Sequence, residues 1–372
     1  MAEATAGASE RGVTQSVDDI SPARRNLGRT IFYVASALLV AVFVLQYLDA
    51  QGYVEIGFGN WRPALFAYVV WGIVLGVSQV MVRGELGLRA LFVLPAALFT
   101  VAMVLFPLMF GVSISFSDWN LASLTGGRFN GWDNVIQMAS DPFYLNALRN
   151  MLYYTSMVFA EYAIAFCLAL LLNAEIRGRR FFRVLFLLPL MLSPVAVSWM
   201  IGKSMMETRF GPVARLARFL GWENPAFFSS PDIARLSIEI MDAWTFIPFM
   251  MIMLLAGLQA MPRDITEAAR VDGANAWQSF WRVTFPLMLP VSITAIAIRM
   301  IFKLKIADII INVTSGGPGG ATDSVTSFIF REYRDRSNVG YGTMLAMVYL
   351  VLIVISFTIF LNVVNRFVRR MN

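Results

Sequence analysis

The 372-residue chain is poor in side chains that do acid–base or metal chemistry. It has no histidine, the commonest general base and metal ligand. Its single cysteine, Cys167, lies in an apolar run, so no intramolecular disulfide and no cysteine-built metal site can form; it reads as a small core residue. What remains is a set of ionisable residues embedded in apolar stretches: Glu161, Asp242, Arg299 and Lys303, with Lys305 and Asp308 beyond them. An uncompensated charge at the centre of a bilayer costs about 2.5–3.5 kcal/mol on the lowest scales, so such groups face protein or water. Arg299 and Lys303 are four residues apart and share a helix face. Two readings of this set stand side by side. The cations line a polar path and donate to hydroxyl or phosphate oxygens, or they pair with Glu161 and Asp242 and hold a bundle together. Trp244, Phe246 and Phe249 likewise either stack against a sugar ring or pack between helices.

The elements that position these residues are helices that cross a membrane. Hydrophobic residues make up 58% of the chain and charged ones 15%, against roughly 45–50% and about 25% in a soluble domain. Spanning about 30 Å of hydrocarbon takes about 20 residues of helix. Eight apolar segments meet that need, at about 30–48, 63–82, 89–112, 151–173, 184–202, 236–258, 287–311 and 343–365. The expected fold class is therefore all-α, a polytopic helical membrane protein of about eight spans.

Residues 1–28 are polar, lack the apolar core of a signal peptide and read as a disordered tail. Residues 29–85 form an additional pair of spans, set off by Arg83, Gly84 and Glu85, and 86–372 a six-span core. Gly72 and Gly76 in the second span permit close helix approach. An even number of spans puts both termini on one side. Sixteen Lys and Arg residues fall on the side of the tails and eleven on the other, which places both termini in the cytoplasm. The net charge of +6 is scattered through short loops, which membrane topology explains and nucleic-acid binding does not. The outer loops at 113–150, 203–235 and 312–342 are long, carry turn formers such as Gly126, Gly127, Gly131, Pro212 and Pro225, and offer a surface to an external partner.

Between the sixth and seventh spans, residues 261–274 read Met-Pro-Arg-Asp-Ile-Thr-Glu-Ala-Ala-Arg-Val-Asp-Gly-Ala, followed by Trp277, Phe280, Trp281 and Pro286. Pro262 suits a helix start, Asp264 and Glu267 favour the positive end of the helix dipole, and Gly273 takes the left-handed stop. A second short helix is expected from about 274 to 283, ending before Pro286.

Glu267-Ala268-Ala269, three residues, Gly273, nine residues, Val283, one residue and Phe285-Pro286 together resemble the EAA loop of ABC importer permeases. Val283 and Phe285 replace the usual Ile and Leu and keep their apolar character. The resemblance runs over roughly 90–368. Leu168-Ala169-Leu170-Leu171-Leu172-Asn173, the run from Trp244 to Pro248 leading into Leu254-Leu255-Ala256-Gly257-Leu258, and Ser315-Gly316-Gly317-Pro318 are similar to the sugar-permease branch, the maltose and glycerol-phosphate permeases in particular. The seventh span departs from that pattern: Arg299 and Asp308 match, but an expected aspartate is missing and Lys303 and Lys305 appear.

The resemblance implies a permease that forms half of a pathway for a sugar, polyol or glycerol-type solute and works by alternating access. The loop 261–286 would be a cytoplasmic coupling helix seated in a groove of an ATPase. Glu267 would make polar contact there, Ala268 and Ala269 permit close approach and Gly273 set the turn, with Asp264, Asp272 and Pro286 in the same segment. Gly316, Gly317 and Pro318 would lie in a periplasmic loop. The implied partners are an ATP-binding cassette ATPase dimer, a second and different permease subunit, an extracytoplasmic solute-binding protein and the lipid bilayer of a bacterial inner membrane. No cofactor is expected on this chain, ATP and magnesium belonging to the ATPase.

Two rivals stand at this stage. A secondary transporter would use the intramembrane charges to bind a coupling ion. A membrane-embedded transferase would need acids or bases at one membrane face, and Asp264, Glu267 and Asp272 are its candidates. A phosphate-binding loop is absent, because Val197 occupies the first glycine position ahead of Gly202-Lys203-Ser204, so the chain is not expected to be an enzyme. Maltose-like sugars, glycerol, other polyols and glycerol phosphate all remain open as solutes, the two lysines leaning toward an anionic one.

Overall fold

The computed structural model describes residues 20–369, apart from Gln51, Gly59, residues 124–126 and Glu175. The first nineteen residues of the expected tail, and Gly126, lie outside the described residues. Among the described residues every named element is a helix, as a lipid-facing backbone requires: a helix satisfies its own N–H and C=O groups where no water can. Seven helices are long and apolar enough to span a membrane, and a bent pair makes an eighth if it counts as one span. The described residues divide into two compact units, the first ending at Phe110 and the second beginning at Gly111.

The first unit holds α1 (Pro22–Ala50), α2 (Arg62–Arg83) and most of α3 (Glu85–Ser115). Because α1 begins at Pro22, it takes in residues that the sequence assigns to the tail. Gly72 and Gly76 are buried, and a Cβ on either would stand 2.5 or 2.6 Å from a leucine methyl of α3, Leu98 or Leu91. The small-residue spacing thus serves close approach within this unit. Ser78 donates to the carbonyl of Gly28 at 2.9 Å, closing a polar contact inside the apolar pair.

The second unit is built on four long helices: α5 (Pro142–Asn173), α9 (Pro231–Ala260), α11 (Ala276–Lys303) and α14 (Val339–Arg369). Short helices join them: α4 (Asp133–Ser140), α6 (Arg179–Met191), α7 (Pro194–Met205), α8 (Pro212–Phe219), α10 (Arg263–Val271), α12 (Asp308–Val313) and α13 (Val325–Arg334). Toward one end, Tyr144, Tyr154, Ile238, Met241, Ile310, Phe328 and Leu345 form a buried apolar cluster. Toward the other, Phe166, Leu172, Met250, Leu254, Leu258 and Met288 form a second.

Three expectations are corrected here. The apolar segment 184–202 is not one straight span: α6 and α7 meet at a 98° bend, where Pro194 lacks the N–H a continuing helix needs and Ser193 caps the new start through Ala196. The segment 287–311 ends as a helix at Lys303, and Asp308 opens a separate short one. Its freed carbonyls are taken by hydroxyls: Tyr349 donates to Leu304 O at 2.8 Å, Thr326 to the same oxygen, and Ser324 to Ile306 O. The second short helix of the 261–286 loop does not stop before Pro286. It starts at Ala276 behind the Asn275 capping box and runs through a π-turn at Phe280–Thr284 into the span, so α11 is one unbroken rod.

The start of α14 is tightly seated. Gly340 donates to Trp119 O at 2.8 Å, and a Cβ there would lie 2.0 Å from Ser117 O. Gly340→Ala should cost about 1–3 kcal/mol through overpacking. Thermal melting of the purified protein checks this, and an unchanged melting temperature would contradict it.

Candidate functional site

Two groups of sequence candidates form separate places in the second unit, a surface loop and a buried ion cluster. The loop is held by its ends. Pro262 precedes α10, Asp264 lies in its first turn, and Gly273 adopts φ +77°, closing the helix in the left-handed region that glycine tolerates. Asp264, Glu267, Ala268, Asp272 and Gly273 are exposed, and Ala269 and Pro286 are half-buried. Ile265 and Val271 are exposed as well, Val271 to 88%, so this amphipathic helix presents apolar side chains outside the spans. Pro286 lies within the continuous α11.

Inside the bundle the structure brings together Glu161 of α5, Asp242 of α9, and Arg299 and Lys303 of α11, all almost wholly buried. Arg299 grips Glu161 with both arms, Nε to Oε2 at 2.5 Å and Nη2 to Oε1 at 2.9 Å, and its Nη2 also donates to Asp242. Lys303 Nζ lies 2.8 Å from Glu161 Oε1 and 2.5 Å from Asp242 Oδ2. It also donates to both oxygens of Glu239, at 3.0 and 2.9 Å. Glu239 is not among the sequence-derived candidates. It sits one turn before Asp242 on α9, and that i, i+3 spacing of two acids is the signal that finds it.

The Arg299 guanidinium lies 4.5 Å from the centre of the Phe246 ring, which stacks on Phe302 at 5.7 Å, with Phe249 edge-on to Phe302 at 5.9 Å. Arg299 Nη1 is buried with no hydrogen-bond partner among the described residues. The remaining candidates stand apart from this cluster. Asp308 and Lys305 are exposed at and beyond the end of α11, and Trp244 is 39% exposed.

Gly316, Gly317 and Pro318 form a turn pinned to α5. Asn146 and Tyr154 donate to Gly320 O and Thr322 O at 2.7 and 3.0 Å, and Asn150 to Asp323 O at 2.9 Å. Gly316 has φ +84°, and a Cβ there would strike the Asp323 carboxylate at 2.3 Å. Asp323 accepts from Ser327 at 3.0 Å and from Arg331. Burial pushes its carboxyl up to about 6, against the opposing pull of Arg331 and Ser327.

The family model for the inner membrane component of binding-protein-dependent transport systems matches residues 68–370. The chain belongs to that family. It is thus a permease component of a binding-protein-dependent importer, a transport protein and not an enzyme, and it works in the membrane with an ATPase and a solute-binding protein. The trehalose/maltose transport system permease protein MalF of Thermococcus litoralis is 32% identical over 286 residues, 77% of this chain and 96% of that one. The sulfoquinovosyl glycerol transport system permease protein SmoG of Agrobacterium fabrum is 30% identical, covering 76% and 92%. A chain of a bacterial alginate ABC transporter, solved with an alginate pentasaccharide-bound periplasmic protein, superposes with a TM-score of 0.64 at 21% identity. It covers 76% of this permease and 94% of that chain, a likeness of fold.

The cluster sets a ranking of substitutions. Removing one partner of a buried ion pair costs about 3–5 kcal/mol, because a charge is left uncompensated. Arg299→Ala, which leaves three carboxylates against one cation, and Asp242→Asn, which touches both cations, should lower the melting temperature most. Glu239→Gln, which removes the third carboxylate and touches Lys303 alone among the cations, should lower it least. Equal losses in all three variants would contradict this division of labour.

Proposed function

We propose that this permease forms half of a translocation pathway for a carbohydrate or polyol, the other half coming from a second, different permease subunit, in a bacterial inner membrane with both termini in the cytoplasm. The 261–286 loop is the coupling element. Glu267 makes the polar contact with the ATPase, Ala268 and Ala269 allow close approach, and Asp264, Asp272 and Gly273 shape the helix and its turn. ATP and magnesium reside on the ATPase and not on this chain.

The observation that carries this reading is an exposed, capped α10 whose apolar residues Ile265 and Val271 face outward, joined through one turn to an α11 that runs unbroken to Lys303. A push on such a loop is delivered along this one helix to the middle of the bundle. Relatives described as permeases for trehalose and maltose and for sulfoquinovosyl glycerol support a carbohydrate-type solute. Within the bundle, Glu161, Asp242, Arg299 and Lys303 serve chiefly to hold helices, since all their charged atoms but the buried Arg299 Nη1 pair with one another. Phe249 and Trp244 are the groups left to meet a solute. Gly316, Gly317 and Pro318 belong to the outer surface that faces the binding protein.

Affinity purification from native membranes, followed by mass spectrometry, tests this. The expected companions are an ATPase and a second permease in fixed stoichiometry, with the ATPase lost on Glu267→Arg. A stable lone chain, or an ATPase retained in that variant, would overturn the coupling role.

A further inference from the structure

A cavity of about 610 Å³ opens between the end of α5 and the turn that joins α10 to α11. Its wall is largely apolar, formed by Leu170, Ala274, Trp277 and Phe280, with Ser279 and Thr284 also in the lining, the Cys167 thiol exposed and a single cation, Arg270. That guanidinium makes no ion pair or side-chain hydrogen bond among the described residues. Beside the cavity, Trp277 and Trp281 are 70% and 47% exposed and in edge contact with each other, at the level where α5 ends and α11 enters its apolar stretch. Exposed tryptophans at the ends of spans mark the headgroup region of a bilayer. The volume is that of a small-molecule site, and its chemistry is divided: one unpaired positive charge, then a hydrocarbon wall running along α5.

We propose that this cavity holds one anionic phospholipid from the leaflet on the coupling-loop side, its phosphate on Arg270 and its chain against Leu170 and Phe280. A soluble anion would use the cation and leave the apolar wall wet. A neutral apolar molecule would fill the wall and leave the guanidinium unpaired. A basic pocket between helices at the membrane face suits the amphiphile that supplies both. Because Arg270 lies on α10 and Cys167 and Leu170 on α5, the lipid ties the coupling loop to the bundle from the membrane side.

Cys167, the only cysteine of this chain, reports occupancy directly. The complete transporter is placed in nanodiscs of phosphatidylcholine alone or with phosphatidylglycerol, and the rate at which N-ethylmaleimide modifies Cys167 is followed by mass spectrometry of its peptide. The proposal predicts modification severalfold slower with phosphatidylglycerol, the difference abolished by Arg270→Gln and retained by Arg270→Lys. A variant that fails to fold shows itself by a raised rate in phosphatidylcholine alone, and the Arg270→Lys comparison then decides. Equal rates in both lipids, a slowing that survives Arg270→Gln, or the same slowing by inorganic phosphate in phosphatidylcholine discs would each overturn it.

Discussion

A charge placed among apolar helices must be neutralised where it stands, and that constraint organises the second unit. Arg299 and Lys303 enter on α11, and the three carboxylates that receive them come from α5 and α9. In a low dielectric the members of such a set cannot separate cheaply, so the three helices are tied at one level of the bundle. The apolar clusters on either side of that level add packing without direction. The ion cluster turns the charged faces of α5, α9 and α11 toward one another, because Arg299 and Lys303 both reach Glu161 and Asp242.

The tie gains its meaning from the continuity of α11. One end of this rod emerges as the turn after α10, and the other ends at the cluster. After Lys303 the helix is released into a turn in which hydroxyls of Thr326 and Tyr349 meet the carbonyl of Leu304 and that of Ser324 the carbonyl of Ile306. The pinned loop at Gly316–Asp323 then locks the far side of α5 through Asn146, Asn150 and Tyr154. Movement imposed at the 261–286 loop therefore meets a linked set of helices, and not a single free one.

Much of this was legible in the sequence. Apolar length gives the spans, and Pro262, Asp264 and Gly273 give the bounds of α10, because they are local signals with local causes. Arg299, Lys303, Glu161 and Asp242 stand out because charge in an apolar run is costly. Glu239 stands out less, because it lies near the edge of its apolar segment, where a charge looks like an ordinary flank; its i, i+3 spacing to Asp242 is the one sequence signal that marks it. The bend between α6 and α7, and the end of α11 at Lys303, were hidden for a related reason. Apolar composition continues across both; the bend rests on the local Ser193 cap and Pro194, whereas the end of α11 depends on hydroxyls supplied from elsewhere. The continuity through Pro286 is concealed in the opposite sense: a proline normally ends a helix, and here the π-turn at Phe280–Thr284 just before it carries α11 past the missing N–H.

The most direct measurement is solute uptake into proteoliposomes holding the complete importer, with ATP on the coupling-loop side and the binding protein on the other. Uptake that requires both, and that is unaffected when ion gradients are collapsed, is the result expected of a permease worked through its 261–286 loop. Uptake that persists without ATP and follows an ion gradient would contradict it, and would turn the buried charges from a structural tie into an ion-coupling site.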